Sequence, residues 1–373
     1  MLILRGLGAV VLLLPALALG AFWVRAAWRT RDAFTCWSLG PVVGLSAHLA
    51  GLNLLCHLVR PLSAGLVLTV AELAVLLVAA GRFYRASSTP EMPAAANAGR
   101  AREPSAAVWR SLGVFRWVLL VIVALWVFQA IHLGPTDPVV HSAVSGVLAR
   151  RGLPSPNPCD PAQVLVYHYG LDLLSATLGE MTGLRPWQAL HLWTAWLALW
   201  LAIMACEFLR AAAERAGEKP SGLELGLGLT VFLLGGGLAW VNWVLDRPGL
   251  VTVFETGFAW DGLSSLFRLP AVASGWVWWL ALWTALLRWP RTAPGRSRAG
   301  SPSVPFGVLL GVLPLLAEHV ALVLGVVFVI LTIHRLVRGA DSSLCPPDLA
   351  GWLAAGALGL GLGVFGGGAW TAA

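Results

Sequence analysis

The sequence predicts an all-α, polytopic membrane protein with about ten transmembrane helices. Its 373 residues are 58% hydrophobic and only 12% charged, whereas soluble domains carry about 25% charged residues. The mean hydropathy is +0.78. Several stretches approach 20 consecutive apolar residues, the length that crosses a hydrocarbon core of about 30 Å. Together these observations place most of the chain in a bilayer.

Ten segments have the length and apolar character of candidate spans. They cover residues 2–24, 34–58, 62–82, 113–133, 187–209, 223–245, 271–289, 304–318, 320–334 and 350–371. The first also resembles a signal peptide, with Arg5 before an apolar run and small residues at its end. The run is long, however, and Arg25, Arg29 and Arg31 follow it. We therefore expect residues 2–24 to be retained as a span.

The basic residues give the predicted orientation. The net charge is +7, but the arginines lie in short connectors between spans rather than on a phosphate-binding face, which argues against nucleic acid as a partner. Eighteen of the 25 Lys and Arg residues fall in one alternating set of connectors and six in the other. Because Lys and Arg resist translocation, the richer set is predicted to be cytoplasmic. For an inner-membrane protein, this orientation places residues 134–186 and 246–270 on the outer side of the membrane.

The chain divides into three parts. Residues 1–83 form a three-span N-terminal membrane segment, and residues 84–112, rich in Ala, Pro and Ser, read as a flexible cytoplasmic linker. Residues 113–373 form a seven-span module. Because the sequence stops at or just past a span with no polar tail, the module is expected to be truncated at its C-terminus.

The outer loop 134–186 is predicted to contain two helices. In residues 138–150 the apolar side chains recur at helical spacing, which suits a helix lying on the membrane: Val139, Val140, Val144, Val147 and Leu148. A proline-rich stretch follows. Residues 163–183 form a second, more apolar helix that still carries polar residues, and we expect it to be re-entrant or to lie on the surface.

Spans 304–318 and 320–334 are short, about 22 Å each at 1.5 Å per residue. The turn between them contains Glu318 and His319. A turn between two short spans is expected to be recessed in the outer half of the membrane, facing protein or water rather than lipid. The sequence thus predicts a cavity there.

Asp137 follows span 113–133 and directly precedes Pro138. An Asp before a Pro is typical of a helix N-cap with proline at the first helical position. A capping Asp can still present its free oxygen to a substrate, so both roles stay open. His141 follows at i+4 on the same helix face, either as a substrate contact or as an interfacial histidine.

A second polar group is the run Tyr167, His168, Tyr169 with Asp172. His168 and Asp172 are spaced i, i+4, so the carboxylate could orient the imidazole. The alternative is a satisfied polar pair on an interfacial helix with the tyrosines as belt residues. Glu318 and His319 are open to the same two interpretations.

Other features are less specific. The five cysteines show no metal-binding spacing; a Cys56–Cys159 disulfide is possible, but unpaired cysteines are the default expectation. Most of the 20 tryptophans are expected to anchor or pack the spans. There is no Walker A loop, no GxSxG, no HExxH and no dinucleotide fingerprint.

The helix order resembles the GT-C superfamily of integral-membrane glycosyltransferases over residues 114–373. Span 113–133, Asp137, the helix around His141, the Tyr167–Tyr169 segment and six further spans are similar to the layout of that superfamily. So is the segment 307–325, GVLLGVLPLLAEHVALVLG. The chain departs from it in having three preceding spans and no second acidic residue beside Asp137.

The resemblance implies transfer of a sugar from a polyprenyl-phosphate donor to an acceptor on the outer face, with inversion at the anomeric carbon. Asp137 would be the general base. Arg150, Arg151, Arg185 or Arg268 would stabilise the leaving phosphate, with or without a divalent cation such as Mg²⁺ or Mn²⁺. Membrane lipids and the lipid-linked donor are the implied partners.

Two other classes stay open. A transporter or flippase-like protein would place binding residues at the membrane midplane and would show inverted repeats. The polar residues here concentrate in the outer loops and no clear repeat is present, which favours the enzyme. A non-catalytic assembly subunit that kept the same fold is the third possibility.

Overall fold

The computed structural model describes residues 2–30, 32–88, 120, 124, 138–165, 169–234, 270–290, 301–338 and 348–365. In these ranges the chain is all-helical, with no β-strand. The helices are α1 (Leu2–Ala27), α2 (Ala33–Cys56), α3 (Pro61–Ser88), α4 (Pro138–Arg151), α5 (Gly170–Thr182), α6 (Pro186–Ala216), α7 (Gly222–Leu234), α8 (Pro270–Leu287), α9 (Ser303–Leu316), α10 (Glu318–Arg338) and α11 (Leu349–Phe365).

Five of these helices are long and apolar enough to cross a membrane: α1, α2, α3, α6 and α10. Parts of α8, α9 and α11 are shorter apolar helices. The described helices overlap nine of the ten predicted segments. Residues 235–245 and 366–371, and all of segment 113–133 except residues 120 and 124, lie outside the described residues. These long apolar helices indicate a membrane protein.

Three predicted boundaries were wrong. Helix α3 continues to Ser88, so the first residues of the predicted linker are helical. The second of the two short spans is a helix of 21 residues, because α10 begins at Glu318 and continues past its predicted end to Arg338. Only α9 is short, at 14 residues. The helix predicted over 163–183 begins at Gly170.

Small residues allow the closest helix contacts. On α1 and α2 a side chain at Gly20, Gly40 or Gly44 would collide with the backbone of the facing helix. On α9 and α11 a Cβ at Gly307 would lie 2.8 Å from the carbonyl oxygen of Ala355. In a membrane, where lipid is as apolar as leucine, such backbone approach is a main source of helix association.

The N-terminal segment packs into the rest of the described bundle. Helix α2 is the most buried of the five candidate spans. Indole nitrogens bond across helices near it: Trp200 Nε1 donates to the carbonyl of Ser38 at 3.0 Å, and Trp278 Nε1 donates to Ser46 Oγ at 2.7 Å. These tryptophans pack and hydrogen-bond helices together, in line with the packing role expected for most of them.

An ionic cluster marks one end of the bundle and joins three connectors. Glu207 is fully buried and lies 2.7 Å from Arg210 Nη2 and 3.0 Å from Arg288 Nε. Arg210 also pairs with Asp32, and Arg288 pairs with Glu214. We call this the ionic end. Asp32, Arg210 and Arg288 come from three connectors that the arginine distribution assigns to a single side of the membrane, and Glu207 lies near the end of the predicted span 187–209.

Asp32 caps this end of α2. Its carboxylate accepts hydrogen bonds from the backbone N–H groups of Phe34 and Thr35, each at 3.2 Å. Burial opposes its negative charge, but the hydrogen bonds from Thr35 and Arg210 outweigh burial and hold the pKa of Asp32 below its ordinary value. Asp32 is therefore charged at neutral pH.

The opposite end of the bundle contains the turn between α2 and α3 and the segments that flank α4 and α5. The backbone N–H of Leu153 donates to the carbonyl of Cys56 at 3.1 Å. Arg5 near the start of α1 donates to the carbonyl of Gly183 at 2.6 Å. Residues 134–186, as far as they are described, thus meet the end of the bundle away from the ionic cluster.

The described cysteines are unpaired. Cys36, Cys56 and Cys206 are buried and Cys159 is exposed. The expectation of free thiols is confirmed for these four residues, and no Cys56–Cys159 disulfide forms. Cys345 lies outside the described residues.

Candidate functional site

Helix α4 turns one face into the protein. His141, Val144, Ser145 and Leu148 are buried, and they recur at the i, i+3, i+4, i+7 spacing of a single helix face. Two of the four are polar, although the sequence predicts a helix that lies on the membrane through apolar residues. A buried polar side chain needs a partner, and helix α5 supplies it.

Helix α5 is enclosed by protein over most of its length, since all residues from Gly170 to Gly179 are buried. Its first residue must be small, because a Cβ at Gly170 would lie 2.7 Å from the carbonyl oxygen of Leu315 on α9. At its other end Gly183 closes the helix with φ of 72°, a left-handed conformation that favours glycine. Asp172 occupies the first turn, where the helix dipole favours an anion.

The polar side chains of α4 and α5 meet in one buried group. Nδ1 of His141 lies 3.2 Å from Oδ1 and 3.1 Å from Oδ2 of Asp172. The hydroxyl of Ser145 donates to Asp172 Oδ1 at 3.0 Å. His141 is 2% exposed, and Ser145 and Asp172 are fully buried. We call these three residues the His–Asp site.

This geometry determines which ring nitrogen of His141 faces the carboxylate. With an ionised Asp172, Nδ1 carries the proton and donates it, so Nε2 of a neutral ring becomes the basic atom. The same arrangement serves to orient a metal-binding or proton-accepting histidine. Ser145 donates to Asp172 rather than to His141, so the three residues are not ordered as a Ser-His-Asp nucleophilic triad.

A neighbouring hydrogen bond connects the site to the N-terminal segment. The hydroxyl of Tyr169 donates to Oδ1 of Asn53 at 3.0 Å, and both residues are buried. Tyr169 directly precedes α5 and lies three residues before Asp172. One turn past Asp172, the hydroxyl of Ser175 is buried without a hydrogen-bond partner among the described residues.

The other predicted site residues lie in different places. Asp137, Tyr167, His168 and Arg268 fall outside the described residues. Arg150, Arg151 and Arg185 are exposed, Glu318 is half-buried and His319 is exposed. Through Leu315, the segment before Glu318 abuts the start of α5.

The structure gives Asp172 a partner that the sequence does not predict. The sequence pairs Asp172 with His168 through i, i+4 spacing, and that pairing lies outside the described residues. Among the described residues Asp172 contacts His141, 31 residues away. Both residues are predicted site residues, but their pairing is not predicted. Ser145 and Asn53 were missed. Ser145 had a usable signal, because it lies four residues after His141 on the same face.

A second buried pair lies within two candidate spans. Nδ1 of His48 on α2 lies 2.9 Å from Oε1 and 3.1 Å from Oε2 of Glu72 on α3. The two side chains are 3% and 11% exposed. At 1.5 Å per residue, Glu72 lies about 16 Å along α3 from its first residue. Ionisable residues at such depth are costly and often functional.

The described residues do not group three metal-ligating side chains together. His141 and Asp172 are two potential ligands, and a divalent cation would need a third. A narrow apolar cleft of about 30 Å³ lies between α8, α9, α10 and α11, lined by residues such as Trp283, Phe328 and Trp352. It does not contain the His–Asp site.

A scan against protein-family models, a search of curated proteins and a search of solved structures find no match to this chain. The resemblance to the GT-C superfamily therefore stands on helix order and on the residues named above.

Proposed function

We propose that this protein is an inner-membrane glycosyltransferase of about ten spans that uses a polyprenyl-phosphate sugar and works on the outer face. The observation that supports it best is the His–Asp site. A buried carboxylate–imidazole pair joins the helix that follows Asp137 to the next helix of the same predicted outer loop. Buried titratable pairs are enriched at functional sites.

The alternative is that the His–Asp site has only a structural role and fixes how α4 packs against α5, since buried polar pairs can serve that purpose. Two further features favour the functional role. The pair lies at the end of the bundle away from the ionic end, where the arginine distribution places the outer face. Its neighbour Ser175 is a buried hydroxyl without a described partner, which suits a polar site more than a packed core.

In the proposed reaction Asp137 is the general base. It accepts the proton of the acceptor hydroxyl while that oxygen bonds to the anomeric carbon and the bond from this carbon to the phosphate oxygen breaks. The attack comes from the opposite side, so the configuration inverts. The phosphate keeps the bonding electron pair and needs no general acid. An arginine of the outer loops, such as Arg185 or Arg268, stabilises its charge.

The His–Asp site acts as a positioning element in this proposal. Asp137 is bonded to Pro138, the first residue of α4. His141 is in the first turn of that helix and is fixed against α5 by Asp172. Anchoring the first turn restricts where the residue before it can lie, which is what a general base requires.

The direct test is transfer of radiolabelled sugar from defined polyprenyl-phosphate sugars by the purified protein in lipid. Asp137→Asn should reduce the rate by about 10²–10⁴, the usual contribution of a positioned base. Loss of a helix cap alone costs about 1 kcal/mol of stability and leaves the rate within a few-fold. Asp160→Asn, at an exposed carboxylate of the same loop, is the matched control. Equal rates for both variants would reject the proposal.

Transport is the second candidate function, and the His48–Glu72 pair is the observation that favours it. A titratable pair within two candidate spans is the position where a transporter binds protons or ions. Flux of the lipid-linked sugar into proteoliposomes that depends on Glu72, without covalent transfer, would select this alternative.

A further inference from the structure

The turn between α2 and α3 lies at a membrane surface. Residues 33–56 and 61–81 are each long and apolar enough to cross, so residues 57–60 occupy the point where one crossing ends and the next begins. Leu58 is 82% exposed and Leu62 is 37% exposed, and Arg60 between them is exposed as well. Exposed aliphatic side chains beside an arginine are typical of the headgroup region.

The end of α4 is brought to the same turn. A Cβ at Gly152 would lie 3.3 Å from the carbonyl oxygen of Cys56 and 3.7 Å from that of Val59. Arg150 and Arg151, the last residues of α4, immediately precede Gly152. Arginines from two separate parts of the chain therefore share one end of the bundle. We call Arg60, Arg150 and Arg151 the arginine patch.

The arginine patch is positive and unneutralised. All three side chains are exposed, and none forms an ion pair or hydrogen bond with another described residue. Arg210 and Arg288 at the ionic end, by contrast, each pair with two carboxylates or more. Arg150 and Arg151 also complement the negative end of the α4 dipole, but that role does not account for Arg60, which lies in a turn.

We propose that the arginine patch binds the phosphate-bearing headgroup of an anionic phospholipid. Arginine forms paired hydrogen bonds to phosphate oxygens, and the turn places the three guanidinium groups at headgroup depth while Leu58 and Leu62 meet the acyl chains. The site is separate from the His–Asp site. Nine residues of helix, about 14 Å, separate His141 from Arg150. The proposal does not depend on glycosyl transfer.

The test is lipid binding to the purified full chain in a neutral detergent, measured by native mass spectrometry with phosphatidylglycerol or phosphatidylcholine added. Each surface arginine contributes about fivefold to binding of anionic lipid. The double variant Arg60→Gln/Arg151→Gln should bind phosphatidylglycerol about thirtyfold more weakly. The matched control is Arg29→Gln/Lys219→Gln, which removes two exposed positive charges elsewhere and should bind like the wild type.

Three results would overturn the proposal. The first is equal loss of phosphatidylglycerol binding in the patch and control variants, which would indicate a general charge effect. The second is wild-type binding of phosphatidylcholine as tight as that of phosphatidylglycerol. The third is complete displacement of the lipid by millimolar inorganic phosphate, which would make the site one for a free anion. Because the substituted side chains are exposed, monodispersity on size-exclusion chromatography should be unchanged.

Discussion

Removing the carboxylate of Asp172 should destabilise the protein strongly. Asp172 is fully buried and accepts hydrogen bonds from His141 at 3.1 Å and Ser145 at 3.0 Å. Asp172→Ala leaves both donors in the interior without their acceptor. Desolvated groups that lose a partner cost far more than the net value of the bond they made.

The expected loss is about 2–6 kcal/mol, because two buried donors each lose their acceptor and an unsatisfied buried group costs about 1–3 kcal/mol. Ser145→Ala removes a single hydrogen bond to a charged group and should cost about 1.5–3 kcal/mol. Both substitutions remove the hydrogen bond between Ser145 and Asp172. The double variant Ser145→Ala/Asp172→Ala should therefore lose less stability than the sum of the two single variants.

Unfolding of the purified protein in detergent by denaturant, followed by the fluorescence of its 20 tryptophans, measures these differences. Glu180→Ala is the matched control, because it removes the same charge from the exposed side of the same helix. It should unfold like the wild type. If Asp172→Ala also unfolds within about 1 kcal/mol of the wild type, the His–Asp site does not stabilise the packing of α4 on α5.

Two further predictions concern topology and pH. Cys159 is exposed and lies in the predicted outer loop, so an impermeant maleimide should label it in intact cells when the other cysteines are replaced by serine. Labelling of Cys159 only after permeabilisation would show that this loop faces the cytoplasm and would contradict the predicted orientation. The lowered pKa of Asp32 stabilises the fold above the ordinary aspartate pKa, and this stability is lost as the pH falls below about 4. In the Asp32→Asn variant the free energy of unfolding should fall less steeply as the pH drops below about 4. An unchanged pH dependence would contradict the stabilising role of the Asp32 carboxylate.

The ionic end agrees with the orientation that the arginine distribution predicts. The sequence assigns the connectors that contain Arg25, Arg210 and Arg288 to one side of the membrane, and residues from all three connectors meet in the ionic cluster or next to it. The positive-inside pattern arises because Lys and Arg resist translocation, whereas the ionic cluster forms because the helices pack together. Their agreement supports the proposed two-sided arrangement.

The sequence alone determined that the described chain is helical and apolar enough for a membrane. Length and apolar content decide where a segment can satisfy its backbone in a bilayer, and the described helices overlap nine of the predicted segments. They also singled out His141 and Asp172 as candidate site residues, because polar groups in an apolar chain are conspicuous. The start of α10 was mispredicted since Glu318 was assigned to a turn, whereas an acidic residue is also favourable in the first turn of a helix.

Only the tertiary structure decided which polar groups pair. Spacing along one helix could only suggest His168 as a partner of Asp172, and His168 lies outside the described residues. His141 contacts Asp172 because α4 packs against α5 across 31 residues of sequence. The same holds at the ionic end, where Asp32, Arg210 and Arg288 come from three connectors. Local sequence reports which side chains share a helix face. Which faces meet depends on the packing of the whole bundle, and no periodicity encodes it.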